Sequence, residues 1–159
     1  MAEGTENIYQ NEGPTYTAPA SGGVRIMGSA TDVISVIPNS DVTALLRGFI
    51  VEMHPVNQNR VRLASDASVS WRGITLGDQW GNLDGTYNTT LPMAIATHGP
   101  ARVYSGAAIA VNAFFCSDAT GRARTWVAGV DAAGSLIGRT KTSATAIGDK
   151  LDVVIEGGG

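Results

Sequence analysis

The chain has 159 residues, enough for one domain with a core of its own. Charged residues make up 16%, against about 25% in ordinary soluble domains, and a net charge of −3 gives no general attraction to nucleic acid or an anionic membrane. The single cysteine, Cys116, excludes an intrachain disulfide framework and a Cys-rich zinc site, and no apolar run reaches the roughly 18 residues of a membrane helix.

Two compositional features point toward assembly and toward β-structure. The basic residues are arginines apart from Lys141 and Lys150, and Arg is the cation enriched at protein interfaces; a lineage bias in composition explains the same imbalance equally well. Twenty glycines with only 6% aromatics suit many short strands joined by tight turns.

In chain order, residues 1–23 are polar, carry Pro14 and Pro19, and end in the run Ala18 to Gly23, which reads as an extended N-terminal arm. A frayed terminus is the plain alternative, and Tyr9 and Tyr16 are the residues able to pin such an arm to a neighbour. The start lacks a basic segment followed by an apolar one, so the expectation is synthesis in a cytoplasm and a soluble product. Residues 24–156 are expected to form a single β-rich domain, and 157–159 a flexible tail.

Val33 to Ile37 is β-branched, ends at Pro38 and has the character of a buried strand. Asn39-Ser40-Asp41 then fits the cap of one short helix over Val42 to Arg47, stopped by Gly48. Phe49, Val51 and Met53 alternate with Ile50, Glu52 and His54, and Val61 and Leu63 with Arg60 and Arg62, so the two runs around Pro55 and Asn57 predict a hairpin. From Ser65 to Pro92 glycines recur at 73, 77, 81 and 85, and a loop-rich excursion is expected.

Short strand signals return at Met93 to Thr97, Arg102 to Tyr104, Ala113 to Cys116, Arg122 to Val127, Ser135 to Thr140 and Leu151 to Ile155. Turn chemistry lies between them, with Asp118 before Gly121 and Asp131 before Gly134. The expected class is all-β, a small barrel or sandwich with at most one short helix.

Catalytic and metal chemistry find little support. His54 and His98 stand 44 residues apart without a ligand-spaced partner, and no nucleotide-binding or nucleophile-elbow motif is present. Cys116, within Phe114-Phe115-Cys116, reads as a small buried hydrophobe, and Asp78, Asp84, Asp118 and Asp131 read as turn residues rather than an acid and base pair. The expectation is a protein without enzymatic activity, cofactor or metal.

Two groups are candidates for interaction. Arg122, Arg124 and Trp126 share one face of a strand by alternation, either as a subunit or capsid contact or as a solvated face. Trp71, Trp80 and Tyr87 form either a ligand-stacking platform or part of the core.

The order Gly106, Ile109 and Val111, then Asp118 with Gly121-Arg122-Ala123, then Ile137-Gly138-Arg139, then Gly148-Asp149 leading into Leu151 to Ile155, resembles the capsid decoration (cement) proteins of tailed bacteriophages. The resemblance covers roughly residues 91–156. Residues 38–92 depart from that pattern, as an insertion or small lobe would. The resemblance implies a β-rich structural protein, often trimeric, that binds the major capsid protein on the outer surface of an expanded head and reinforces it. The rival reading is a carbohydrate- or receptor-binding module of a phage fibre, built on Trp71, Trp80 and Tyr87.

Overall fold

The computed structural model describes residues 31–39, 45–77, 86–87 and 92–157. The chain divides into two units, Met1–Ala30 and Thr31–Gly159, and every described residue belongs to the second. The expected arm over 1–23, with Tyr9 and Tyr16, lies outside the described residues, as does Trp80.

The strands are β1 (Asp32–Val36), β2 (Leu45–Leu46), β3 (Ile50–Met53), β4 (Val61–Leu63), β5 (Trp71–Gly77), β6 (Thr86–Tyr87), β7 (Met93–Tyr104), β8 (Phe114–Ser117), β9 (Ala123–Thr125), β10 (Gly138–Thr140) and β11 (Lys150–Ile155). Among the described residues there is no α-helix, only a single 3₁₀ turn at Ala133–Ser135. The all-β expectation holds. The order across the main sheet is β9-β8-β10-β11-β7-β5-β3-β4, with β1 also on β7, and β2 pairs with β6 in a separate ribbon. All these pairings are antiparallel.

The sheet curls into a half-barrel because its two ends are stitched together. The Ile50 N–H donates to Gly121 O at 2.7 Å, and Ala67 N–H to Ser117 O at 2.9 Å. Ser117 Oγ adds a bond to Ser65 O at 2.6 Å. Inside the curl, Ile50, Trp71 and Ile74 from one end meet Phe115, Ile137, Leu151 and Ile155 from the other in one apolar cluster. Val51, Val61, Met93 and Ile95 form a smaller cluster, so successive residues Ile50 and Val51 are both fully buried on opposite sides of β3.

The expected hairpin is present, with Val51 opposite Leu63, Glu52 opposite Arg62 and Met53 opposite Val61. Other expectations need correction. Val33 to Val36 is a strand but not a buried one: Val33 is 50% and Ile34 45% exposed, because β1 has only β7 as a neighbour among the described residues. The C-terminal part of the expected helix is instead a strand and turn, since Leu45–Leu46 pairs with Thr86–Tyr87. Within the expected excursion, Trp71–Gly77 is an interior strand between β3 and β7.

The two strands expected at 93–97 and 102–104 are one, β7. Its first half pairs with β1 and β5 and its second half with β11, and the change of partner falls at Gly99, where φ is +91°. Glycine tolerates that conformation, and Pro100, which has no N–H to give a ladder, follows it at the bend.

Both ends of the main sheet are capped. Beside β4, Asn39 N–H donates to Val61 O and Val61 N–H to Ile37 O; beside β9, Gly106 N–H donates to Ala123 O at 2.7 Å. Such caps satisfy the backbone groups an edge strand would otherwise expose.

Candidate interaction surface

The outer face of β8, β9 and β10 gathers the polar and aromatic side chains that the core excludes. Register places Arg124 opposite Cys116 and Arg139 opposite Phe114, while Ala123, Phe115 and Gly138 turn inward.

Arg124 organises the β9 side of this face. Its Nε and Nη2 donate to the two oxygens of Asp66 at 2.7 and 3.2 Å, and its Nη2 and Nη1 donate to those of Asp131 at 2.7 and 3.0 Å. The remaining Nη1 proton goes to Thr125 O at 3.0 Å. A guanidinium has five N–H donors, so all five are engaged within the molecule. The paired carboxylates push its pKa up further.

Asp131 answers in kind. Its side chain is only 5% exposed, accepts a further bond from Val127 N–H at 2.8 Å, and is held down to a pKa of about 2, first by the Arg124 hydrogen bonds and then by that backbone N–H. Cys116 lies below, 3.9 Å from Asp131 Oδ2. Burial pushes its thiol up to about 12, a shift that nearby Arg124 opposes and the carboxylates reinforce. A thiol held there is protonated at neutral pH and a poor nucleophile.

Trp126 continues the face. Its indole N–H donates to Ala132 O at 3.2 Å, and its ring meets Phe114 edge-on with centroids 6.2 Å apart. The Arg139 guanidinium lies over the Phe114 ring, 4.3 Å from its centroid, and Arg139 faces Glu156 at 3.6 Å. Phe114, 36% exposed, and Val127 and Val130 beside Trp126 in the chain leave apolar surface open to solvent. Aromatic rings flanked by Arg form the kind of patch that protein interfaces favour.

Of the residues singled out from the sequence, Arg124 and Trp126 thus lie on one face. Arg122 points elsewhere: its Nη1 donates to Thr120 Oγ1 at 3.0 Å and its guanidinium sits 5.5 Å from the Phe49 ring. Phe114 and Arg139 were not singled out. Their signal was present in the alternation of β8 and in the Arg after Gly138, but only the register joins them to Trp126.

The second group separates. Trp71 is 1% exposed in the core, with its indole N–H donating to Gly134 O at 3.2 Å, so it offers no stacking surface. Tyr87 has its backbone in β6 opposite Leu45. His54 serves a local turn, its Nδ1 accepting the N–H groups of Val56 and Asn57 at 3.2 and 3.0 Å. No cluster of metal-ligating side chains occurs among the described residues, and no described helix is long and apolar enough to cross a membrane.

No family model and no curated protein matches the chain. A solved structure does. The fold is similar to that of the N base of the head fibre gp8.5 in bacteriophage phi29, with a TM-score of 0.55 over 80% of this chain and 95% of the other. Identity is 11%, so what the two share is the fold. The half-barrel is therefore an architecture that a phage head-fibre base also adopts.

Proposed function

We propose that this protein is a non-enzymatic structural component of a phage virion that decorates the outer surface of the head by binding the major capsid protein. The observation that carries the reading is the fold likeness to a head-fibre base over nearly the whole of that chain. The motif order from Gly106 to Ile155, similar to that of the cement proteins, supports it independently.

The chemistry agrees with a scaffold. The candidate nucleophile Cys116 is buried and protonated, and Asp118 is occupied in a turn by the N–H groups of Thr120 and Arg122. The Trp126, Phe114 and Arg139 patch is the contact surface in this reading, with Arg124 holding it rigid rather than reaching a partner. Trimerisation belongs to the same proposal, since many weak contacts repeated on a lattice hold collectively. The glycan-binding alternative loses one of its three aromatic groups with Trp71 in the core.

Co-sedimentation with unexpanded and expanded heads from the protein's own source tests this. Saturable binding to expanded heads is expected. Absence of binding to both forms overturns the reading.

A further inference from the structure

Where β5 and the second half of β7 diverge, the Arg47–Gly48 turn sits between them. Gly48 N–H donates to Thr75 O at 2.7 Å and Tyr104 N–H donates to Gly48 O at 2.9 Å. Gly48, with φ at +80°, permits the turn, and a side chain there would press on the Tyr104 ring. The divergence opens a groove of about 400 Å³, within the usual size range of ligand pockets.

Its lining is of two kinds. Leu76 and Tyr104 form apolar wall, while Arg47, Arg102 and Lys150 bring three cations. Arg47 and Lys150 are exposed, and neither has a carboxylate partner among the described ion pairs. Arg102 is held by one carboxylate, Asp152, at 2.7 Å, and its side chain remains 64% exposed. The groove is thus an island of positive charge on a chain whose net charge is −3.

We propose that this groove docks an acidic segment of a partner protein, with carboxylates received by Arg47 and Lys150 and the aliphatic stems lying on Leu76 and Tyr104. Arg102, oriented by Asp152, borders the seat. Charge complementarity of this sort sets specificity and encounter rate more than raw affinity. A nucleic-acid strand fits less well: polyanion sites track many successive phosphates with rows of cations and stacking rings, whereas Asp152 interrupts this short row. The inference does not rest on the virion reading; it concerns a different face and holds for any acidic protein partner.

The test is an NMR titration of the full chain at low salt with three probes: an acetylated tetraglutamate peptide, its tetraglutamine counterpart, and a thymidine oligonucleotide. Tetraglutamate is expected to shift the amides of Gly48, Leu76, Val103 and Lys150 saturably, with tetraglutamine silent. Arg47→Glu with Lys150→Glu is expected to weaken that binding at least about tenfold at unchanged Tm, and Arg47→Gln with Lys150→Gln serves if the reversal disturbs folding. No saturable shift with tetraglutamate, an equal response to tetraglutamine, or tighter binding of the oligonucleotide would overturn the proposal.

Discussion

Arg124 and Asp131, seven residues apart, are joined by two hydrogen bonds of 2.7 and 3.0 Å, and the same guanidinium reaches Asp66, 58 residues away. One side chain thereby ties β9 to the loop after β4 and to the turn before the 3₁₀ segment.

Removing it should cost more than a surface ion pair. Arg124→Ala leaves Asp131, nearly inaccessible, without its counter-charge, and truncating one partner of a buried pair is strongly destabilising. Calorimetry should show Tm lowered by several degrees, at about 2–4 °C per kcal/mol for a chain of this size. Arg124→Lys should recover only part of the loss, because a point ammonium cannot replace a fork that bonds two carboxylates.

Acid should weaken the protein through the same pair. The folded pKa of Asp131 is about 2 against an unfolded value of 3.8, so its stabilisation is complete above the unfolded value and disappears as pH falls through the folded one. Asp149, held down by the N–H groups of Thr145 and Ala146, acts in the same direction. Urea midpoints measured from pH 5 to pH 2 should fall steadily in the wild type and less steeply in Asp131→Asn.

Two glycine substitutions should differ sharply. A Cβ on Gly138 would run into the Val154 carbonyl of the neighbouring strand, whereas one on Gly148 meets open space. Gly148→Ala therefore carries only the strain of its positive φ, about 1–2 kcal/mol, and Gly138→Ala should disrupt the β10–β11 pairing and largely abolish soluble folded protein. Circular dichroism and soluble yield compare them directly.

Trp71→Ala removes a fully buried ring and should cost about 3–5 kcal/mol, read from chemical denaturation. Trp126→Ala, at the surface, should cost far less stability while abolishing co-sedimentation with heads. Retained head binding by a folded Trp126→Ala protein would exclude that patch as the contact.

The sequence was most readable where one face of a strand is buried and the other wet, as in β11, whose residues from Leu151 to Ile155 alternate between buried and part-exposed. It misled where glycine serves close approach rather than a turn. Gly73 lies in β5 because a Cβ there would strike the Ala96 carbonyl of β7, so a residue that reads as loop marks the middle of the sheet. Hydrophobicity also failed as a guide to burial at Val33 and Ile34, which lie in a strand with one neighbour among the described residues. In the interaction surface, the polar face around Arg124 was visible from alternation alone. Its partner Asp66 and the contact between Phe114 and Arg139 depend on strand register across long sequence separations, which local pattern does not encode.

The position of β11 has a kinetic consequence. It is the last of the described strands in chain order, yet it lies between β10 and β7 near the middle of the sheet, and its Leu151, Val153 and Ile155 belong to the shared core. Without β11 the β9-β8-β10 group and the β7-β5-β3-β4 group are left with only the bonds between their outer ends, such as Ile50 to Gly121 and Ala67 to Ser117, to hold them together. Closing the curl is therefore a non-local step that is slow in such topologies, and any chain cut within β11 leaves the shared core open to solvent.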